Sequence, residues 1–293
     1  MLDLAAFLGL SRRTLGPVPA VQFMHENQLS YPRRPGERLE PGLAWMQWRG
    51  LVAADEIWCN SEYHRTALLT GLAMLEDEMD SPVDAASVAS KMWVGYLGIE
   101  VDACRRPVAT AGPRRPLVVS NQRWHYDKDL GSVLRAIRTA IDQGFDCDVA
   151  LLGDPTGGEA DDLAPLIAEL GETVVVRGHL PRDEYLEVLR RADVVVSAAR
   201  NENFGIAVVE AVAAGAWPVV PDALAYPEVI PAEYHTACLY SSGGLGVRLR
   251  EVVGRIAAGE RSPHGLAESM ARFDWSMVAA ELDGRVEHLL ERV

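Results

Sequence analysis

The sequence predicts an α/β protein of two parallel-sheet domains, and three observations predict it. Short apolar, β-branched runs at 117–120, 147–152, 174–177 and 193–197 alternate with stretches of helical length and period at 130–142, 159–170 and 182–191. Strands apolar on both faces belong to parallel sheets covered by helices on either side. The chain has 293 residues, room for two domains of ordinary size, and residues 103–116, with three prolines, one glycine and four arginines, read as the linker between them.

Composition excludes several classes. With 48% hydrophobic and 24% charged residues the chain is neither disordered nor a membrane bundle. No apolar run reaches the roughly 20 residues of a membrane span. The opening Met-Leu-Asp-Leu-Ala-Ala-Phe-Leu lacks the basic flank of a signal peptide. Cys59, Cys104, Cys147 and Cys238 are scattered, form no Cys-x-x-Cys and join no His cluster of metal spacing, which points to a reducing compartment. A net charge of −14 argues against general nucleic-acid affinity. The charge is uneven, however. Residues 1–50 carry six arginines (12, 13, 33, 34, 38 and 49) against four acids, and Arg105, Arg106, Arg114 and Arg115 form a second basic group. These are a local basic face or a scatter of solvated side chains.

Along the first half, 1–9 read as an amphipathic helix and 17–24 as a strand. Pro35 and Gly36 mark a turn, 43–54 a helix carrying Trp45 and Trp48, and 55–59 a second strand. Ser61 is placed to cap the helix that follows. Residues 76–84 are acidic and broken by Pro82, and 87–96 fit helix and strand equally. In the second half, Val194 to Val220 forms one strand–loop–helix–strand unit. Its loop holds Asn201, Asn203 and Gly205, Gly215 stops the helix, and the next strand starts at Trp217. Residues 275–290 form a last helix. The expected domains are therefore 1–108 and 116–274, both Rossmann-like, followed by 275–293. No Gly-x-Gly-x-x-Gly follows the second domain's first strand, which disfavours a dinucleotide oxidoreductase.

Three groups of residues could do chemistry. Glu202 lies in a loop at the carboxyl end of a strand, where open α/β sheets bind ligands. Glu210, with seven residues between it and Glu202, is a charge inside the apolar run Ile-Ala-Val-Val-Glu-Ala-Val-Ala-Ala and needs a partner or a ligand. Position alone leaves open a solvated loop acid and a snorkelling helix acid. Arg123 and Lys128 follow the strand at 117–120 with spacing Arg-x4-Lys, as a diphosphate would require. Lys128 is one of only two lysines among 28 basic residues. The alternative is a surface salt-bridge cluster with Asp127 and Asp129. Finally His25, Glu26, Asn27 and Gln28 follow a strand of the first domain and offer hydrogen-bonding groups suited to sugar hydroxyls. His179, also after a strand, is placed at the nucleobase; His64 and His235 have no assigned role.

Glu202-Asn-Phe-Gly-Ile-Ala-Val-Val-Glu210 resembles the Glu-x7-Glu signature of the retaining family 4 glycosyltransferases, which have the two-domain GT-B fold. Trp217-Pro-Val-Val-Pro-Asp-Ala-Leu-Ala-Tyr-Pro-Glu228, Arg123-Trp-His-Tyr-Asp-Lys-Asp129 and His25-Glu-Asn-Gln28 are similar to a narrower branch, the tRNA-queuosine α-mannosyltransferases, although Tyr126 stands where that branch has Glu. The resemblance implies two Rossmann-like domains facing a cleft, with a C-terminal helix returning to the first. It also implies further residues upstream, including a first strand and a Gly-rich turn, so that the N-terminal domain here is incomplete and the chain binds nucleotide but transfers sugar poorly.

By the same resemblance, Arg123 and Lys128 bind the donor diphosphate and Glu202 the donor sugar. Asn203, Phe204 and Gly205 complete the donor loop, and Glu210 holds ribose hydroxyls. His25, with Glu26, Asn27 and Gln28, serves the acceptor side. His25, Arg123, Lys128 and Glu202 are the candidate catalytic residues. The expected reaction moves mannose from GDP-mannose to the cyclopentene-diol of queuosine in tRNA, in the cytoplasm, with no membrane partner and no cofactor. No Asp-x-Asp follows a strand of the first domain, so no metal is expected. The alternatives are a family 4 hexosyltransferase for another acceptor and a non-catalytic nucleotide-sugar binding module. A phosphorylase or epimerase on this fold is a third.

Overall fold

The computed structural model describes residues 2–38, 40–79, 85–106, 114–157 and 159–291. Residues 80–84 of the acidic stretch and 107–113 of the expected linker lie outside them. The chain forms two compact units, Met1–Leu97 with Ser276–Val293, and Gly98–Trp275.

The first unit holds a three-stranded parallel sheet in the order β1 (Val21–Met24), β2 (Glu56–Cys59), β3 (Met92–Val94). β2 is central and wholly buried. Its neighbours Leu51, Leu68 and Leu72 build the core with Ile57. The helices start where local chemistry lets them. Asp3 caps Leu4–Leu15 by accepting the Ala6 amide at 3.0 Å. Pro41 opens Pro41–Ala53 at a position where a missing N–H costs nothing. Ser61 Oγ accepts the His64 amide at 2.9 Å, the cap expected for Glu62–Met79. The first helix runs past residue 9, to where Gly16 takes φ 66°. The ambiguous stretch 87–96 contains both elements, the helix Ala85–Ser90 and then β3. Lys91 joins them, its Nζ donating to the carbonyls of Val52 and Ala54, 2.9 Å each, at the end of the helix Pro41–Ala53.

β2 also carries a buried charge. Glu56, 2% exposed, is held by Arg285 of the last helix, Trp275–Leu290, through bonds of 2.8 and 2.9 Å, and by Trp58 Nε1 at 3.0 Å. A carboxylate in a central strand is tolerable only with such pairing.

The second unit is a six-stranded, all-parallel sheet of β4 (Leu117–Asn121), β5 (Asp148–Leu152), β6 (Val174–Gly178), β7 (Val194–Val196), β8 (Trp217–Pro221) and β9 (Leu239–Tyr240). The strands lie in the order β6-β5-β4-β7-β8-β9. Numbered within the unit this is 3-2-1-4-5-6, the doubly wound order, and direction reverses between β4 and β7. Helices fall at Leu130–Asp142, Ala160–Leu170, Arg182–Arg191 and Ile206–Ala213, and Gly215 ends the last of these with φ 96°. β9 and the helix Leu245–Ala257 are further elements absent from the sequence reading. Two residues are too few for a periodic signal.

The described ends of the arginine-rich stretch belong to this unit rather than spanning free of it. Arg114 grips buried Asp193 at 2.8 and 2.9 Å while Asp193 also accepts the Leu117 amide. Arg115 pairs with Asp146 and Asp148, Arg105 with Asp102, and Arg106 donates to the Ala192 carbonyl. The second basic group is thus bound to its own acids and carbonyls. Among the described residues no helix is long and apolar enough to cross a membrane.

Candidate active site

The site is built where β4 and β7 part. After β4 the chain turns through Gln122 to Lys128, pinned by Trp124, which is fully buried beneath the Arg177 guanidinium. Gly153, at the end of β5, has φ 126° and passes so close that a Cβ would lie 2.2 Å from the Gln122 carbonyl oxygen. Only glycine fits there. After β7 the loop returns alongside, and the amides of Arg200 and Asn201 both donate to the Asp127 carbonyl, at 2.7 and 3.3 Å. The two loops are therefore clamped backbone to backbone.

That clamp brings Lys128 and Glu202 together. Lys128 Nζ donates to the Asn201 carbonyl at 2.7 Å and lies 3.2 Å from Glu202 and 3.1 Å from Asp127. The salt-bridge reading of the Arg-x4-Lys stretch is thus met at Asp127, with Glu202 as a further partner of the ammonium. Asp127 is buried, and burial alone would raise its pKa. Lys128's charge, with hydrogen bonds from His125 and Lys128, outweighs that and holds the carboxyl below its ordinary value. Asp129 is turned the other way, to Arg200 at 2.9 Å. Arg123 is exposed on the same loop.

Glu202 is fixed on both oxygens. Oε1 accepts the Gly205 amide at 2.9 Å and faces the Phe204 amide at 3.5 Å; Oε2 takes Lys128 and Gln122 Nε2, the latter at 3.3 Å. Gly205 has φ 93°, and a Cβ on it would press the Tyr226 ring at 3.2 Å. Behind Glu202 runs a buried polar chain, with Ser197 Oγ donating to Gln122 Oε1 at 2.9 Å and lying 2.8 Å from Tyr226 Oη. Burial first, and then Glu202's charge, push the Tyr226 phenol well above its ordinary pKa, so it stays a donor. The Phe204 side chain belongs to the core: it is 1% exposed and packs edge-on against Phe273 at 5.1 Å, so that the backbone is what this residue can offer a ligand. Asn203 is buried beside it.

Glu210 has the partners its apolar helix demands. Arg182 reaches Oε1 at 2.7 Å, and Tyr185 Oη donates to Oε2 at 2.7 Å. Asn121 in turn donates to Tyr185 Oη at 3.0 Å and to the Ala207 carbonyl at 2.7 Å, tying the end of β4 to this helix. Sequence reasoning missed Gln122, Ser197, Tyr226, Tyr185 and Arg182. Gln122 and Ser197 follow directly on the ends of β4 and β7, and Tyr226 lies within the Trp217–Glu228 motif, signals that could have found them; Tyr185 and Arg182 have none of their own.

In the first unit His25, Glu26 and Gln28 line a cavity of about 420 Å³ with Phe23, and His25 stacks on Phe23 at 4.9 Å. Asn27 instead points inward. It is 1% exposed, its Oδ1 accepts the Leu29 amide and Gln47 Nε2, and Gln47 Oε1 receives the Gln28 amide. Its work is to hold the loop. The four cysteines are free and buried; burial pushes the Cys104 and Cys147 thiols up to about 11, and Cys59 and Cys238 to about 12, so none is a thiolate nucleophile. Among the described residues no three His, Cys, Asp or Glu side chains group as metal ligands.

Residues 1–98 match the family model "tRNA-queuosine alpha-mannosyltransferase N-terminal", and residues 106–243 match "Glycosyl transferases group 1". The tRNA-queuosine alpha-mannosyltransferase of Drosophila melanogaster is 27% identical over 250 residues, which is 81% of this chain and 66% of that protein. The chain spans 34 to 44% of the further curated relatives it matches. Among solved structures, sucrose-phosphate synthase from Thermosynechococcus elongatus superposes with a TM-score of 0.73 at 18% identity, covering 98% of this chain and 72% of that one. Anabaena HepE in complex with UDP and glucose gives 0.70 at 17% identity, covering 98% and 76%. At such identities the likeness speaks for the fold alone. Two joined matches, one for each part of the chain, and the doubly wound second sheet converge: the chain has the GT-B fold, its residues 106–243 are similar to the group 1 glycosyltransferases, and its residues 1–98 are similar to the N-terminal part of the tRNA-queuosine alpha-mannosyltransferases.

Proposed function

We propose that the chain transfers mannose from GDP-mannose, with retention at the anomeric carbon, to the cyclopentene-diol of queuosine in tRNA. The observation that carries this reading is the joining, in one chain, of an N-terminal part of the queuosine-mannosyltransferase type to a group 1 glycosyltransferase domain. The site's geometry supports it, because Lys128 and Glu202 meet at the sheet's switch point, where ligands of open α/β folds bind.

In this reading the bond from the anomeric carbon to the diphosphate oxygen breaks while the acceptor hydroxyl oxygen bonds to that carbon on the same face. The hydroxyl proton passes to a diphosphate oxygen, so no protein base is needed. Lys128, Arg123 and the amides at the start of the helix Ile206–Ala213 take up the charge that develops on the diphosphate, the kind of fixed stabilisation that dominates most catalysis. Glu202 accepts sugar hydroxyls by exchanging its longer bonds, to the Phe204 amide at 3.5 Å and Gln122 Nε2 at 3.3 Å, for them. Glu210 accepts ribose hydroxyls, and the loop from Asn203 to Gly205 closes on the donor. His25, Glu26 and Gln28 serve the acceptor side, with Asn27 supporting them. The reaction takes no metal and no cofactor, so turnover persists in excess chelator. A tRNA acceptor places the working protein in the cytoplasm.

The test is a panel of nucleotide-sugars incubated with the protein and queuosine-containing tRNA, read by nucleoside mass spectrometry. Mannosyl-queuosine from GDP-mannose is expected, at the low turnover that the resemblance implies for this chain. Absence of any hexosyl-queuosine across the panel overturns the reading; a hexose other than mannose corrects its donor.

A further inference from the structure

The structure sorts the ten arginines of the two basic groups. Arg105, Arg106, Arg114 and Arg115 are tied to acids and carbonyls of their own unit, and Arg49 is paired with Asp3 at 3.0 Å. Arg12 and Arg13 stand in the last turn of the helix Leu4–Leu15, where a cation complements the helix dipole. Arg33, Arg34 and Arg38 lie in the loop directly after His25–Gln28. Of the two acids at that loop, Glu37 and Glu40, the first is used elsewhere: Glu37 Oε2 accepts the Arg34 amide at 2.8 Å, and the Glu37 amide returns to the Arg34 carbonyl at 3.0 Å. Arg34 is half-buried, whereas Arg33 and Arg38 are exposed and among the described residues have no acid partner.

Those two converge. Gln28, Tyr31, Arg33, Arg38, Glu40 and Leu43 line a recess of about 140 Å³. Gln28 also lines the larger cavity that holds His25 and Glu26, so the two spaces adjoin through one side chain. Their floor is rigid, because buried Gln47 fixes the Gln28 amide and Asn27 at once. In a chain of net charge −14, two uncompensated guanidinium groups beside an aromatic ring at one recess make a strong local exception. Guanidinium forks suit phosphodiester oxygens, and a tyrosine ring offers a face on which an unpaired base can stack. Glu40 is the one acid in the lining, and it limits the recess to a single phosphate between the arginines.

We propose that this recess is the anchoring site for the RNA acceptor: Arg33 and Arg38 hold a backbone phosphate next to the nucleotide whose modified base enters the His25 cavity, and Tyr31 supports a neighbouring base. The inference rests on the reading that the acceptor is a tRNA, and it assigns RNA binding to these residues rather than to the arginines at large.

The experiment follows the protein's binding to a fluorescently labelled, unmodified RNA anticodon stem-loop by anisotropy across several salt concentrations. Arg33→Ala/Arg38→Ala should bind more weakly and lower the slope of log affinity against log salt by about 0.7–0.9, the loss of one neutralised phosphate. Arg12→Ala/Arg13→Ala, exposed and outside the recess, should leave the slope unchanged. Unchanged binding by the first variant, equal loss in the second, or no RNA binding by the wild type overturns the inference. Sugar transfer is read separately in the same preparations. Turnover on queuosine tRNA with no effect of Arg33 and Arg38 on RNA binding sinks the recess and leaves the function standing. Arg33/Arg38-dependent RNA binding without turnover does the reverse.

Discussion

Glu210 and Lys128 are each surrounded by groups that make sense only around a charge. Glu210, in an all-apolar helical run, takes a guanidinium on one oxygen and a phenol on the other. Lys128, 11% exposed at its side chain, stands between two carboxylates and a carbonyl. If these residues face a nucleoside diphosphate, Lys128→Ala and Glu210→Ala should each weaken GDP binding by about 1.5–3 kcal/mol, the worth of one charge-assisted hydrogen bond. Calorimetric titration of the folded variants decides it, and wild-type affinity in both removes the assignment. Lys128→Ala has a second consequence. It strips the charge that outweighs burial at Asp127, so that carboxyl's pKa should climb. The charged residues of this site were legible in the sequence because a motif spacing and a charge in an apolar run announce themselves. Gln122, Ser197 and Tyr226 were not. They are ordinary polar residues whose bonds to one another cross 75 and 104 positions of chain.

At the scale of elements, the strand–helix alternation of the second unit from β4 to β8 was readable, since each helix there lays an apolar face on the sheet, whereas β9 and the helix Leu245–Ala257 were not. Nor was the cost of β2. That strand carries Glu56 at its start, and the helix Trp275–Leu290 supplies the counter-charge. Removing Arg285 takes the guanidinium away from a carboxylate that is 2% exposed. Arg285→Ala should therefore destabilise the first unit by about 3 kcal/mol, toward the low end for a broken buried pair because the arginine itself is partly exposed. Adding Glu56→Gln should recover part of the loss. Urea denaturation of the single and double variants measures both; equal stability of wild type and Arg285→Ala would show that the pair contributes nothing.

For the molecule as a whole, the excess of acid over base says less than where the charges are. Most of the flagged arginines serve the fold, and the first unit also contains a histidine that must stay neutral. His64 is fully buried, its Nδ1 lies 2.8 Å from Asn60 Oδ1, and burial with the nearby His25 lowers its pKa to about 4. An unfolded histidine titrates near 6.5, so between these values the unfolded chain binds the extra proton. The stabilisation is complete above about pH 6.5 and is lost as pH falls toward about 4, a change of about 3 kcal/mol. His64→Gln should cost stability at pH 7 but flatten the acid limb. Denaturation midpoints at pH 7, 5.5 and 4.5 test it, and parallel profiles for the two proteins would remove His64 as the cause.

The sequence by itself determined what depends on neighbours along the chain. Apolar period specified strands and helices, glycines such as Gly215 their ends, and the Glu-x7-Glu and Arg-x4-Lys spacings the charged half of the site. These are local because backbone geometry and side-chain period repeat over a few residues. Only the tertiary structure decided which chain ends meet. It set the 3-2-1-4-5-6 order that puts the loops after β4 and β7 side by side, and it gave Glu210 to Arg182 and Tyr185. It also turned the Phe204 and Asn27 side chains inward and, among the described residues, left Arg33 and Arg38 without an acid partner while Arg49, Arg105, Arg106, Arg114 and Arg115 were bound. A hydrogen bond or ion pair forms wherever folding brings two groups within about 3 Å, and no periodicity in one segment encodes what a segment a hundred residues away will place there.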